Sequence, residues 1–224
     1  MNKSQQVFEQ LQQNRLIALL TPKSADECVV AYETLNPLGI TLEIAYRSDA
    51  AHDGICAVLQ KYPAALILAG TVMMPDQAER AIRAGVAGIV SADYIPEVVA
   101  RCVQQDVMCV PGGLADAGKQ LVQKALGYGV DLAGLKNRYP YQWCYKLFPA
   151  IAETHSNIGL AKAWQGPFKG LQVIYTGGIT LTNLVDVVKQ DPAGIFCGSA
   201  VTRLIAEPAK MQVEAEKWLE IIHK

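Results

Sequence analysis

The sequence predicts an α/β protein of the (β/α)8 barrel type, and three observations lead there. Short, continuous apolar runs alternate with amphipathic segments along the whole chain. Eight such runs can be counted within its 224 residues. The turn after the first run is Thr21-Pro22-Lys23-Ser24, where an open doubly wound sheet would carry a glycine fingerprint. Uninterrupted apolar runs between helices mean a parallel sheet covered on both faces, and eight of them is the number that closes a barrel. The expectation is one domain over residues 1–224, a helix ahead of the first strand, and a helical extension after the last.

The elements follow in order. Residues 4–14 put Val7, Phe8 and Leu11 on one helical face, as a lid or an outer brace. Leu16 to Leu20 is the first strand, and Ser24 with Glu27 three residues on is a capping-box signature for the helix running to about Leu35. Pro37 and Gly39 stop it, and Ile40 to Ile44 is the second strand. The third strand is Ala65 to Ala69, followed by a helix from Pro75 to Ala84 and the stop Gly85. Ala87 to Val90 is the fourth strand, with a helix over about Ile95 to Gln105, and Val107 to Val110 is the fifth. After Pro111-Gly112-Gly113 a helix reaches Leu126. Residues 127–142 have no period and read as an elaboration whose Arg138, Tyr139 and Tyr141 cover the barrel mouth or a subunit contact. The sixth strand carries Lys146, the seventh is Leu171 to Tyr175 and the eighth Ala193 to Cys197. Pro208 to Lys224 is an amphipathic helix with Met211, Val213, Ala215, Trp218, Leu219 and Ile222 on its apolar side.

Composition narrows the function. Twenty basic against 21 acidic side chains leave a net charge of −1, with no run of Lys or Arg, so the electrostatic footprint of a nucleic-acid binder is missing. The six cysteines include no CxxC pair and the three histidines are isolated from them, which argues for reduced core thiols and against a zinc site. No stretch has the length of a membrane span, and residues 1–6 do not open into an apolar signal segment, so a soluble, cytoplasmic protein without metal or cofactor is expected.

In barrels of this type the working groups lie at the C-terminal ends of the strands. Lys146 interrupts the apolar stretch Trp143-Cys144-Tyr145-Lys146-Leu147-Phe148-Pro149. It reads either as a strand-end lysine whose head snorkels to water or as an amine nucleophile whose pKa burial lowers. Glu43 lies in Leu42-Glu43-Ile44-Ala45-Tyr46-Arg47. It is either a structural salt-bridge partner of Arg47 or a buried general base, with Arg47 at the mouth for an anionic substrate group. The Thr71 hydroxyl suits a substrate carboxylate and equally the cap of the next helix. Gly177-Gly178 and Gly198-Ser199 follow the seventh and eighth strands; either alone reads as a plain tight turn, but together in this place their free backbone N–H groups and a helix start suit a phosphate.

Taken together, Leu42-Glu43-Ile44-x-x-Arg47, Gly70-Thr71-Val72, Pro111-Gly112, Lys146-Leu147-Phe148-Pro149-Ala150, Thr176-Gly177-Gly178-Ile179 and Gly198-Ser199 resemble the 2-keto-3-deoxy-6-phosphogluconate (KDPG) aldolase family. That family includes 4-hydroxy-2-oxoglutarate aldolases and enzymes of the galactonate series. The resemblance implies a metal-independent class I aldolase on a (β/α)8 barrel, commonly a homotrimer, acting on a small phosphorylated keto acid to release pyruvate. It implies Lys146 as the Schiff-base lysine and Glu43 as general acid and base. Arg47 and Thr71 would hold the pyruvate carboxylate, and Gly177, Gly178, Gly198 and Ser199 the phosphate.

The chain departs from the family pattern at Ala45, where a hydroxyl residue is frequent, at Ser91-Ala92, commonly Ser-Pro, and at Ile151, often acidic. The interval from Pro111 to Lys146 is also longer than the family's. Two other readings compete. One is a phosphate-binding synthase or isomerase barrel resembling thiamine-phosphate synthase, which would need acidic residues for Mg²⁺ and no Lys146. The other is a non-catalytic phosphosugar-binding barrel.

Overall fold

Each apolar run forms a strand because its residues are buried on both faces, inward against the lumen and outward against a helix. The computed structural model describes residues 1–224. Its strands are β1 (Leu16–Leu20), β2 (Thr41–Ala45), β3 (Leu68–Gly70), β4 (Gly88–Val90), β5 (Met108–Val110), β6 (Gly112–Gly113), β7 (Cys144–Leu147), β8 (Gln172–Tyr175) and β9 (Gly194–Phe196). All pair in parallel in the order β5-β4-β3-β2-β1-β9-β8-β7-β6. The row is a ring of eight, because β5 and β6 are one strand broken at Pro111. β5 pairs with β4 and β6 with β7, so the two ends of the row meet. Proline has no N–H for a ladder, which is why pairing changes sides there, while the Pro111 carbonyl still accepts from Lys146 N–H at 3.3 Å.

The helices are α1 (Lys3–Asn14), α2 (Ala25–Leu35), α3 (Ala50–Lys61), α4 (Pro75–Ala84), α5 (Pro96–Gln104), α6 (Ala117–Gly127), α7 (Leu132–Arg138), α8 (Leu160–Trp164), α9 (Leu184–Val188) and α10 (Pro208–Ile222). Ser24 caps α2 as expected, its hydroxyl accepting from Glu27 N–H at 3.4 Å. The Glu27 carboxylate takes Lys23 N–H at 2.7 Å, one residue ahead of the cap. In α10 the buried stripe is Met211, Ala215, Trp218 and Ile222, packed on α2 and α9; Val213 falls off that stripe and is exposed. No helix is long and apolar enough to cross a membrane.

Two expectations about the barrel ends are corrected. α1 is neither a lid nor an outer brace: Val7, Phe8 and Leu11 pack into the lumen against Ile17, Leu68, Met108 and Phe196. The Ser4 hydroxyl donates to the Ala87 carbonyl and accepts from Met108 N–H, each at 2.8 Å. Both groups lie at the N-terminal ends of β4 and β5, so α1 plugs the barrel floor. Segment 127–142 does not cover the mouth. It contains α7, capped by Asp131, and Tyr128 and Tyr141 both donate to Asp106, just ahead of β5. A segment joining a helix to its next strand must lie at the N-terminal face of a parallel barrel, and this one reinforces the floor.

Because α1 is held by apolar contact with the lumen, Leu11→Ala should cost about 2–5 kcal/mol, read as a lower urea midpoint. An unchanged midpoint would mean that α1 is not part of the core.

Candidate active site

The sealed floor leaves the C-terminal end of the lumen as the place where polar side chains project inward. β2 and β7 stand opposite each other in the ring, with three strand positions between them on either side. Glu43 from β2 and Lys146 from β7 therefore meet across the lumen. Glu43 is 1 % exposed and Lys146 7 %, so the lysine does not snorkel to water. Lys146 Nζ donates to the Ser91 carbonyl at 3.1 Å and lies 5.2 Å and 5.4 Å from the centres of the Phe148 and Phe196 rings.

Burial dominates the electrostatics of both groups. Loss of water pushes the Glu43 carboxyl up to about 7, against a smaller opposing pull from Lys146 and Arg47. Burial lowers the Lys146 pKa, with Arg47 adding to the fall and Glu43 opposing it. Each group is thereby moved toward neutrality, the condition under which an amine is nucleophilic and a carboxyl exchanges protons at physiological pH.

Glu43 fits only because residue 70 is glycine. A Cβ there would stand 1.8 Å from Glu43 Oε1 and 2.1 Å from its Cδ, so any side chain would evict the carboxylate. Thr71 follows with φ of 51°, an unusual conformation for a β-branched residue and one that clusters at functional sites. Its hydroxyl does not cap α4, whose start instead uses the Gln77 side chain on Met73 and Met74 N–H. Thr71 Oγ1 accepts from Arg47 Nε at 2.9 Å. Arg47 thus pairs with Thr71 and forms no salt bridge with Glu43, and its exposed guanidinium stands at the mouth.

The turns after β8 and β9 complete the rim. Gly177, Gly178 and Gly198 have φ of 91°, 69° and 56°. The N–H groups of Gly177, Gly178, Ile179, Gly198 and Ser199 make no hydrogen bond within the chain, which leaves them available to an anion. The expected helix starts do not stand directly behind them: α9 begins at Leu184 and a single 3-10 turn at Thr202. Gly178 has a packing reason as well, since a Cβ there would meet the Ile151 carbonyl at 2.1 Å.

Of the residues singled out in the sequence, the fold gathers Lys146, Glu43, Arg47 and Thr71 and places the glycine turns on the same rim. Sequence reasoning missed Ser91 as the acceptor for Lys146, the ring of Phe196, and the space kept by Gly70. All three lie at or just past strand ends, where the barrel rule directs attention. Glu43 Oε2 and the Ser91 hydroxyl are buried with no partner in the chain, leaving two polar groups beside the lysine for a bound molecule. No three His, Cys, Asp or Glu side chains converge as a metal site. Other hollows lie elsewhere, including a cleft of about 520 Å³ at the floor lined by Arg15, Gln165, Gln172 and Asp191. Size alone does not make a site, and that cleft has no buried reactive group. A hollow of about 440 Å³ opens beside the mouth from Arg47 to His52 and Arg80.

The family model described as KDPG and KHG aldolase matches residues 7–221. A 2-dehydro-3-deoxy-phosphogluconate aldolase of Treponema pallidum is 30% identical over 195 residues, 87% of this chain and 84% of that protein. One from Haemophilus influenzae is 29% identical over 198 residues, covering 88% and 85%. The KDPG aldolase of Legionella pneumophila, solved with pyruvate captured at low pH as a covalent carbinolamine intermediate, superposes with a TM-score of 0.74 at 22% identity over 96% of this chain and 97% of that one. That last likeness concerns the fold.

The Glu43 carboxyl stands near 7, above its ordinary 4.5, so the folded chain holds this proton more tightly than the unfolded chain. The stability this contributes is complete below about pH 4.5 and is lost as pH rises to about 7. Wild type should therefore lose up to about 3 kcal/mol relative to Glu43→Gln across that window, measured by urea unfolding of both proteins. A stability difference that stays constant with pH would mean that Glu43 is ionised normally.

Proposed function

The chain belongs to the KDPG and KHG aldolase family, and from that premise we propose that it is a class I, Schiff-base aldolase. Its substrate is a 2-keto-3-deoxy-6-phospho sugar acid, with 4-hydroxy-2-oxoglutarate as a second candidate. The observation that carries this reading is the buried Lys146 amine facing a buried Glu43 carboxyl, each shifted toward neutrality.

In the proposed reaction, neutral Lys146 attacks the C2 ketone of the substrate to give a carbinolamine, and Glu43 donates a proton to the departing hydroxyl, so that loss of water leaves a protonated imine and the Glu43 carboxylate. Glu43, through a water molecule, takes the C4 hydroxyl proton. The C3–C4 bond breaks, its electrons pass into the imine, and glyceraldehyde 3-phosphate leaves behind an enamine. Glu43 returns a proton to the enamine carbon, and hydrolysis frees pyruvate and the amine. A single carboxyl near neutral pKa suits each of these proton transfers. Arg47 and Thr71, already joined at 2.9 Å, would bind the keto-acid carboxylate. The free N–H groups of Gly177, Gly178, Gly198 and Ser199 would bind the phosphate.

Incubation with pyruvate and borohydride should add a stable adduct at Lys146, unaffected by EDTA and absent from Lys146→Ala. A synthase-like or purely binding barrel would give no adduct. Glu43→Gln should lower turnover about 100-fold or more while slowing imine formation far less, as read by the same trapping. If the variant unfolds instead, Glu43 is structural. A panel of keto acids assayed for pyruvate release should rank phosphorylated sugar acids above hydroxy-oxoglutarate if the glycine turns bind phosphate.

A further inference from the structure

The ring closes through a seam that backbone hydrogen bonds make only in part. β7 pairs with the fifth strand only at Gly112 and Gly113. Below them, β5 and the chain from Gln142 to Cys144 face each other without a ladder. Their buried backbone groups still need partners, and two side chains supply them. Gln142 is fully buried; its Oε1 accepts from Cys109 N–H at 3.1 Å and its Nε2 donates to the Val107 carbonyl at 2.8 Å. It occupies the place of a missing peptide. Lys124, reaching in from α6, is also fully buried. Its Nζ donates to the carbonyls of Cys109 at 2.6 Å, Gln142 at 3.0 Å and Cys144 at 3.4 Å. Three N–H donors thus meet three carbonyls taken from both sides of the seam, and no carboxylate takes part.

Lys146 is tied to the far side of this seam at both ends. Its backbone N–H bonds to Pro111 and its Nζ to the carbonyl of Ser91, just past β4. If the seam widened, β7 would move away from β4 and β5 and draw the amine off Ser91. We propose that Lys124 is a positioning residue for Lys146, bridging β5 to β7 so that the amine is held at its height in the lumen. This rests on the Schiff-base reading of Lys146. Such placement matters because a displacement of about 1 Å at a reacting group can cost about 100-fold in rate.

The test compares Lys124→Met with Ser4→Ala, which removes two buried hydrogen bonds at the β4–β5 floor and leaves β7 untouched. Both variants should unfold at lower urea concentration. Only Lys124→Met should trap pyruvate at Lys146 at least about tenfold more slowly, with the pH profile of trapping moved to higher pH as the amine regains water. In turnover its kcat should fall more than its KM changes. Equal slowing in both variants, or trapping at the wild-type rate in Lys124→Met, overturns the proposal. If Lys124→Met yields no folded protein, Gln142→Met removes the other bridge and carries the same comparison. A wild type that is never trapped refutes the aldolase reading instead. The seam is then read by substrate-free methylation of Lys146 with labelled formaldehyde and borohydride, and an unchanged pH dependence in Lys124→Met would sink the positioning role.

Discussion

The structure depends on keeping water away from one amine and one carboxyl that face each other inside a closed sheet. An isolated ionised group is costly to bury, and that cost is what moves both pKa values toward neutrality. It is met only while the lumen stays sealed below and the two side chains have somewhere to go. Gly70 gives Glu43 its room, and Ser91 gives Lys146 its acceptor. The flanking phenylalanines present ring faces that tolerate the amine in either charge state.

The two ends of the barrel have been put to different uses. At the floor, α1 and the segment 127–142 fill and cover the lumen with apolar and tyrosine contacts, and Asp106 collects the tyrosine hydroxyls. At the rim, backbone N–H groups are left free and a threonine adopts a strained φ. Stability is concentrated below and unmet polar capacity above, as the division of labour in such barrels requires. The proline break at Pro111 links the two, since it lets the fifth strand serve β4 with its lower half and β7 with its upper half.

Much of this was legible in the chain. Runs such as Leu16 to Leu20 and Met108 to Val110 announce strands because both faces are apolar, and Lys146 and Glu43 stand out because each breaks such a run. Placement was less legible. Tyr139 and Tyr141 invited a role at the mouth on their chemistry, although their position between a helix and the next strand puts them at the floor. Arg47 and Glu43, four residues apart, suggested an ion pair. On the strand Glu43 points into the lumen, while Arg47 lies beyond the strand end and turns to Thr71.

The sequence by itself determined the number of strands and their parallel order, because burial on two faces is written in local hydrophobicity; it left open whether Lys146 and Glu43 would be buried and did not point to Lys124. The tertiary structure alone decided which of those residues meet. Glu43 and Lys146 are about a hundred residues apart, and their encounter follows from ring closure placing β2 opposite β7. The seam that Lys124 and Gln142 bridge is likewise invisible locally, since it arises only where the last gap in the ring must be shut.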